Sequence, residues 1–141
     1  MIQFSAETVI EVACALVRDG DGRFLACRRA SHVRDAGAWE FLGGKIEVGE
    51  DPADCVRREL LEELSVDASA QAPVICVEAT VSGRRLRLYA CPTTLAATPV
   101  GSTDHDRIAY LSLDEFLRLP VTEAERTLLE RLRLSLNSFE S

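Results

Sequence analysis

Residues 44–66 read GKIEVGEDPADCVRRELLEELSV, and their spacing is the most regular in this 141-residue chain. Asp51 and Pro52 predict a helix start, because Asp can accept hydrogen bonds from free backbone N–H groups and proline fits the first helical position. No helix breaker follows before residue 64. Apolar residues recur at three- and four-residue steps and predict one buried stripe, formed by Ala53, Val56, Leu60 and Leu64.

Three carboxylates of this predicted helix share a second face. Glu59, Glu62 and Glu63 are spaced i, i+3 and i+4, and Arg58 precedes Glu62 by four residues, so that the two can pair. A solvent-exposed acidic face is the alternative for Glu62 and Glu63 alone. Carboxylates that converge repel one another unless a cation lies between them, and oxygen ligands suit Mg²⁺ or Mn²⁺, which also bind phosphates. With the glycine-rich approach and Glu50, the pattern favours a divalent-metal site for a phosphorylated substrate.

The whole stretch resembles the signature of the Nudix hydrolases. That signature is a glycine, five residues, Glu, seven residues, Arg-Glu-apolar, one residue, Glu-Glu, one residue, Gly and an apolar residue. Only the last Gly differs, and Ser65 replaces it. A left-handed residue is favoured just past a helix. If the backbone is left-handed there, we expect Ser65 to cost stability on the order of 1 kcal/mol without touching a proposed ligand.

The resemblance implies a metal site and its chemistry. Mg²⁺, with Mn²⁺ as the alternative, would be held by Gly44, Glu59, Glu62 and Glu63, and Glu50 and Arg58 would support the loop and helix. A water would attack phosphorus in line, and the family has no one fixed general base. Asp104 and Glu62 are the candidates here, because Asp104-His105 resembles the Glu-His pair of related enzymes. The implied catalytic set is Arg58, Glu62, Glu63 and Asp104.

A narrower resemblance rests on RRA and WEFLGGKIEVGE, which are similar to the MutT and CTP-pyrophosphohydrolase branch of that family. Leu42 stands where the branch usually carries proline. By position, Arg29 and Lys45 would contact the nucleotide and its phosphates, and Phe41 would lie at the base pocket. Thr122 matches a base-contacting position, although helix capping also explains its hydroxyl.

This branch implies Mg²⁺-dependent hydrolysis of a nucleoside triphosphate to the monophosphate and pyrophosphate, acting on oxidised guanine or pyrimidine nucleotides. One alternative is a Nudix hydrolase of another nucleoside diphosphate-linked substrate. Another is a non-catalytic nucleotide-binding module, which three crowded carboxylates argue against. The expected partner is a small nucleotide, and a homodimer is an open alternative because family members are often dimers.

Composition narrows the class of protein. With 47% apolar and 28% charged residues, the 141-residue chain is expected to form one globular domain. The net charge of −7 argues against long nucleic acids as ligands. No apolar run predicts a membrane span, and residues 1–12 do not resemble a signal peptide. The five scattered cysteines, including Cys76 in a predicted strand, favour reduced, mostly buried thiols and a cytoplasmic setting.

The remaining pattern predicts an α+β fold. Strands at 9–17 and 23–28 are predicted to form one hairpin, and strands at 73–81 and 84–91 a second. Residues 65–72 and 92–106 are expected to be loops. Capping boxes at 112–115 and 122–125 predict helices to about 119 and 137. By resemblance the fold is the Nudix α/β/α sandwich, a mixed sheet with the signature helix and a C-terminal helix, over about residues 9–134.

Two further patterns leave alternatives. Trp39 and Phe41 alternate, so at least one is expected to face the core, and the other could form a wall for a base. Arg84, Arg85 and Arg87 are interpreted as a solvated strand face, with a phosphate-steering or subunit contact as the alternative.

Overall fold

The computed structural model describes residues 8–81 and 83–140, with side chains over 8–81 and 83–136. Residues 1–7, within the stretch considered as a signal peptide, and Ser82, at the predicted second turn, lie outside the described residues. The elements are β1 (Ile10–Leu16), β2 (Phe24–Arg29), β3 (Trp39–Glu40), β4 (Gly43–Lys45), α1 (Pro52–Leu64), β5 (Ala68–Ala70), β6 (Ile75–Val81), β7 (Arg84–Leu95), β8 (His105–Leu111), α2 (Leu113–Leu117) and α3 (Glu123–Glu140).

The strands form two sheets. A five-stranded mixed sheet has the order β4-β1-β7-β5, with β6 also paired to β7, and a three-stranded sheet has the order β3-β2-β8. Strand β1 runs parallel to β7 and antiparallel to β4. Helix α1 packs against β1, β4, β5 and β7, whereas α3 packs against β6 and β7. Two buried apolar clusters fill the spaces between the layers. The predicted α+β sandwich with a mixed sheet is confirmed.

Helix α1 has the predicted ends. The Asp51 side chain accepts a hydrogen bond from the backbone N–H of Asp54, and Pro52 opens the helix. Ser65 follows it in the left-handed conformation, with φ 56° and ψ 35°. The buried stripe consists of Cys55, Val56, Leu60 and Leu64. Ala53, predicted in that stripe, is only half-buried.

The predicted first hairpin is wrong. Strands β1 and β2 join through a tight turn, but they belong to different sheets and meet only at the isolated bridge between Arg18 and Phe24. Strand β1 already has β4 on one edge and β7 on the other, so it offers no edge to β2. A turn pattern between two apolar runs shows that the chain reverses, but it does not determine which strands then pair.

The second hairpin is confirmed, with β6 antiparallel to β7 from Ile75–Ala90 to Val81–Arg84. The two loop predictions beside it are partly wrong, because β7 continues to Leu95 and pairs with β5. Pro92 lies where β7 leaves β6 and meets β5, so its missing N–H interrupts neither antiparallel ladder. Cys76 on β6 is exposed, contrary to the expectation of a buried thiol.

The C-terminal helices begin with different caps. Ser112 and Glu115 form the complete predicted capping box of α2. At α3 only half of the box forms: Thr122 Oγ1 accepts from the backbone N–H of Glu125 at 3.3 Å. The Glu125 side chain is buried and accepts instead from the Phe41 N–H. No helix of the described chain is long and apolar enough to cross a membrane.

We predict that Ser65→Gly stabilises the protein by about 1 kcal/mol, because glycine adopts φ near 56° without a Cβ clash. The free energy of unfolding, measured by urea denaturation, checks this value. Ser65→Ala is the matched control and should give no such gain, since it keeps the Cβ. Equal stability of the glycine and alanine variants would contradict the interpretation.

Candidate active site

Two glycines allow the strand and helix of the site to approach closely. A Cβ on Gly43 would lie 2.0 Å from the carbonyl oxygen of Ala13 on β1. A Cβ on Gly44 would lie 2.3 Å from Oε1 of Glu59 on α1. Strand β4 is therefore pressed against β1, and the Glu59 carboxylate lies directly over Gly44. Only glycine fits at either position without displacing the neighbouring group.

Arg58 binds several carboxylates of the site at once. Its Nε lies 2.8 Å from Glu50 Oε2, and Nη1 lies 3.0 Å from Glu59 Oε1 and 3.3 Å from Glu62 Oε2. Its Nη2 donates to Glu50 Oε1 and to the Lys45 carbonyl, at 3.0 Å each. The hydrogen bonds from Arg58 lower the pKa of Glu50 to about 2. The expected contact of Arg58 with Glu62 is therefore present, and Glu50 contacts the same guanidinium.

Glu63 has no hydrogen bond to Arg58. Its Oε2 is buried, has no hydrogen-bond partner within the described part of the chain, and lies 4.0 Å from His105 Nδ1. Burial raises the pKa of Glu63 to about 7; the electrostatic influence of His105 opposes this, while nearby carboxylates including Glu59 add to it. Burial also raises the pKa of Glu59. Desolvated carboxylates of this kind are stabilised by a bound cation.

The donor set fits a divalent ion in chemical type. Over the described residues, no three His, Cys, Asp or Glu side chains stand close enough to hold one as they are. The reason is that Arg58 lies between Glu59 and Glu62 while Glu63 turns towards His105. The unpartnered oxygen of Glu63 and the Glu59 carboxylate over Gly44 are nevertheless oxygen ligands suited to a hard cation.

A cleft of about 700 Å³ opens between β1, the loop after β2 and the tip of the β6–β7 hairpin, and Lys45 on β4 lines it. Its walls combine apolar and cationic side chains. The apolar residues are Ile10, Val12, Val81 and Leu86, and the charged ones are Arg29, Arg34, Asp35, Lys45 and Arg84. No ion pair is found for Arg34, Lys45 or Arg84 with any described residue. Three uncompensated cations in one cleft of a chain with net charge −7 predict an anionic ligand.

The structure does not bring every predicted residue to this cleft. Phe41 is 2% exposed and packs against Phe24 and Phe116, with ring centroids 5.9 and 5.0 Å away, so its ring forms no base wall. Trp39 is buried as well, which leaves neither aromatic residue for that role. Thr122 caps α3.

Asp104 is the other candidate base, and its carboxylate is solvent-exposed. Its carboxylate is 51% exposed, with His32 Nε2 at 3.9 Å. Its charge raises the pKa of Glu63, but less than burial and the charges of Glu59 and Glu40 do. The Asp104 carboxylate is therefore solvent-accessible and influences the buried carboxylate of Glu63.

Several residues of the site were missed from the sequence. Arg84 lines the cleft, whereas Arg85 and Arg87 pair with Glu78, so the arginine cluster divides between two surfaces. Arg34 lies in a polar loop, and no sequence pattern there predicted a role in ligand binding. Alternation along β7 was the one signal that could have separated Arg84 from the solvated residues.

Glu125 was also missed, because the capping pattern explained it. Its side chain is buried, with Oε2 lacking a partner among the described residues. Burial raises its pKa well above the usual range for a glutamate. A buried carboxyl group, whose ionisation burial opposes, therefore lies beside Phe41 at the start of α3.

Comparison with known proteins agrees with this geometry. The NUDIX domain family matches residues 8–132. The chain is 34% identical over 122 residues to the CTP pyrophosphohydrolase of Escherichia coli (strain K12), covering 86% of this chain and 90% of that protein. It is 39% identical over 57 residues to the 8-oxo-dGTP diphosphatase of the same organism, covering 40% and 44%.

Solved structures show the same fold. The solution structure of the E. coli ORF135 protein superposes with a TM-score of 0.80 at 32% identity, covering 94% of each chain. The MutT protein from Methanosarcina mazei Go1 also gives a TM-score of 0.80, at 24% identity and with 92% and 96% coverage, which supports the fold alone. The domain match over most of the sequence and the 34% identical relative together show that the chain belongs to the Nudix hydrolase family.

Proposed function

We propose that this protein is a Mg²⁺-dependent pyrophosphohydrolase that converts a nucleoside triphosphate to the monophosphate and pyrophosphate. The observation that carries the proposal is the position of Lys45. It follows Gly44, whose neighbour is the Glu59 carboxylate, and it lines the cleft with Arg34 and Arg84. Through the neighbouring positions of Gly44 and Lys45 on β4, cations that suit a polyphosphate are connected to the strand over which the Glu59 carboxylate lies.

The proposed substrate class is a pyrimidine or oxidised guanine nucleotide. The relative called CTP pyrophosphohydrolase aligns with most of this chain, and the relative called 8-oxo-dGTP diphosphatase aligns with less than half of it. In the cleft, the apolar side chains of Ile10, Val12 and Leu86 offer a surface for a base. They offer an apolar surface that the buried ring of Phe41 does not.

The chain's own residues have distinct parts in the proposed reaction. Arg29, Arg34, Lys45 and Arg84 bind and orient the phosphates. Glu59, Glu62, Glu63 and the Gly44 carbonyl would hold Mg²⁺, which would neutralise phosphate charge and supply an activated water. Glu62 Oε or Asp104 Oδ would take the proton of the attacking water, since both carboxylates are more than half exposed. Arg58 and Glu50 hold the loop and helix in register.

The proposed setting is the cytoplasm. All five cysteines are free thiols, and four of them are buried. Free thiols persist in a reducing compartment, so they support this location.

The direct test is pyrophosphate release from a panel of canonical and oxidised nucleoside triphosphates, with and without Mg²⁺. We expect release from at least one pyrimidine or oxidised guanine nucleotide only when Mg²⁺ is present. Tight nucleotide binding without any release would identify a non-catalytic module. Release of a monophosphate from a nucleoside diphosphate-linked compound alone would identify a different substrate class.

We predict that Glu63→Gln reduces turnover by about a hundred-fold or more while making the metal-free protein more stable above pH 7. The pKa of Glu63 is about 7 in the folded protein and ordinary in the unfolded chain. The folded state therefore binds the extra proton, and the wild-type free energy of unfolding falls as pH rises from about 4.5 to 7, by on the order of 3 kcal/mol. Gln does not ionise, so the free energy of unfolding of the variant does not fall in this way as the pH rises.

Urea denaturation in EDTA at pH 5 and pH 8 measures the stability difference. The exposed Glu62→Gln is the matched control and should show no comparable pH-dependent gain. A Glu63→Gln variant with near-wild-type turnover in Mg²⁺ would contradict the metal assignment.

We predict that Arg84→Ala raises KM about ten-fold with a small change in kcat, because a phosphate contact of this kind is made equally in the bound and transition states. Steady-state kinetics at fixed ionic strength measure both constants. Arg85→Ala is the matched control one residue along β7, where the side chain pairs with Glu78 outside the cleft. Equal effects of the two substitutions would exclude a specific role for Arg84.

A further inference from the structure

The orientation of Arg29 in the cleft is fixed by two neighbours. Its Nη1 lies 3.1 Å from both carboxylate oxygens of Glu40, and its Nε donates to the backbone carbonyl of Arg34. Within residues 8–81 and 83–136, its Nη2 makes no hydrogen bond. Arg29 lines the cleft. Nη2 is therefore the part of the guanidinium left to meet a ligand.

Glu40 is itself held from the opposite side. His105 Nε2 lies 2.8 Å from Glu40 Oε2, and His105 Nδ1 lies 2.9 Å from the Ser102 hydroxyl oxygen. The His105 side chain is 2% exposed and that of Glu40 is 17% exposed. Because a carboxylate only accepts, Nε2 carries the hydrogen in this contact. Both ring nitrogens are occupied, which leaves the imidazole one orientation.

The backbone places these three side chains on neighbouring strands. Glu40 on β3 and His105 on β8 flank β2, which carries Arg29. The β2–β8 register shifts between Arg28 and Arg29, an irregularity of the kind that re-aims a side chain in a strand. Arg28 accordingly pairs with Asp106, while Arg29 pairs with Glu40.

We propose that Glu40 is a positioning residue for substrate binding: it aligns Arg29 towards the nucleotide phosphates and is itself held in place by His105. This inference rests on the proposed function, because it gives Arg29 a phosphate to bind. An ordinary structural ion pair would contribute to stability alone. A positioning pair also lowers KM, and it does so only when Arg29 is present.

A double-mutant cycle separates these two roles. Glu40→Gln keeps the size of the side chain but removes its charge, and we expect it to raise KM about ten-fold with kcat within about two-fold. In the Arg29→Ala background, the same substitution should change KM by less than about two-fold. An equal rise in KM in both backgrounds would overturn the inference. An unchanged KM with a lowered thermal midpoint would show an ordinary structural ion pair, and would overturn it as well.

Glu78→Gln is the matched control, because Glu78 also pairs with arginines, Arg85 and Arg87, but outside the cleft. It should leave KM unchanged. If Glu40→Gln does not fold, the cycle uses Glu40→Asp, which keeps the charge and shortens the reach. A smaller rise in KM that also disappears in the Arg29→Ala background is expected, and a rise that persists there would overturn the inference.

Direct binding distinguishes failure of this inference from failure of the proposed function. The probe is a nucleoside triphosphate analogue with a non-hydrolysable α–β bridge, titrated calorimetrically with Mg²⁺ present. Wild-type protein that neither binds the analogue nor releases pyrophosphate would refute the proposed function, and with it this inference. If wild-type protein binds the analogue and releases pyrophosphate, the proposed function stands. Additive effects of the Arg29 and Glu40 substitutions on Kd would then refute the inference alone.

Discussion

The site depends on the absence of side chains at Gly43 and Gly44. One added carbon at Gly43 would overlap the backbone of β1, and one at Gly44 would overlap the Glu59 carboxylate. A Cβ atom at either position would lie closer to its neighbour than van der Waals contact permits. With glycine at both positions, β4 can lie close to β1 on one side and to the Glu59 side chain of α1 on the other. The carboxylates on that helix, the Arg58 network and Lys45 all take their positions from this contact.

Charge is distributed unevenly between α1 and the cleft, on the two sides of β4. On the helix side, the single charge of Arg58 is shared among Glu50, Glu59 and Glu62, and the buried Oε2 of Glu63 has no hydrogen-bond partner among the described residues. On the cleft side the opposite holds, since Arg34, Lys45 and Arg84 have no acidic partner among the described residues. A polyphosphate carrying a divalent ion complements both halves: its charge suits the cleft and its metal suits the helix. An acidic protein can therefore bind a strongly anionic substrate at one place on its surface.

The sequence predicted the parts that depend on local patterns. The cap at Asp51, the periodicity of α1, the second hairpin and the short capped helix before Pro120 each follow from residues close together in the chain. The first hairpin was wrong because strand pairing is decided across the sheet, where β7 and β4 occupy both edges of β1. The pairing of Arg29, Glu40 and His105 was also not predictable, because it requires knowing that β3 and β8 flank β2.

The parallel pairing of β1 with β7 also sets the order in which the domain can be completed. It joins residues Ile10–Leu16 to a partner that begins more than 70 positions later, at Leu86. During synthesis from the N-terminus, β1 and the signature helix leave the ribosome before the strand that fills the open edge of β1 exists. The contact of Glu40 with His105 forms later still, after residue 105 has been synthesised. The cleft and its buried support therefore assemble only after β8 has been synthesised, and a ribosome that stalls before β8 would release a chain that contains α1 but not the completed cleft.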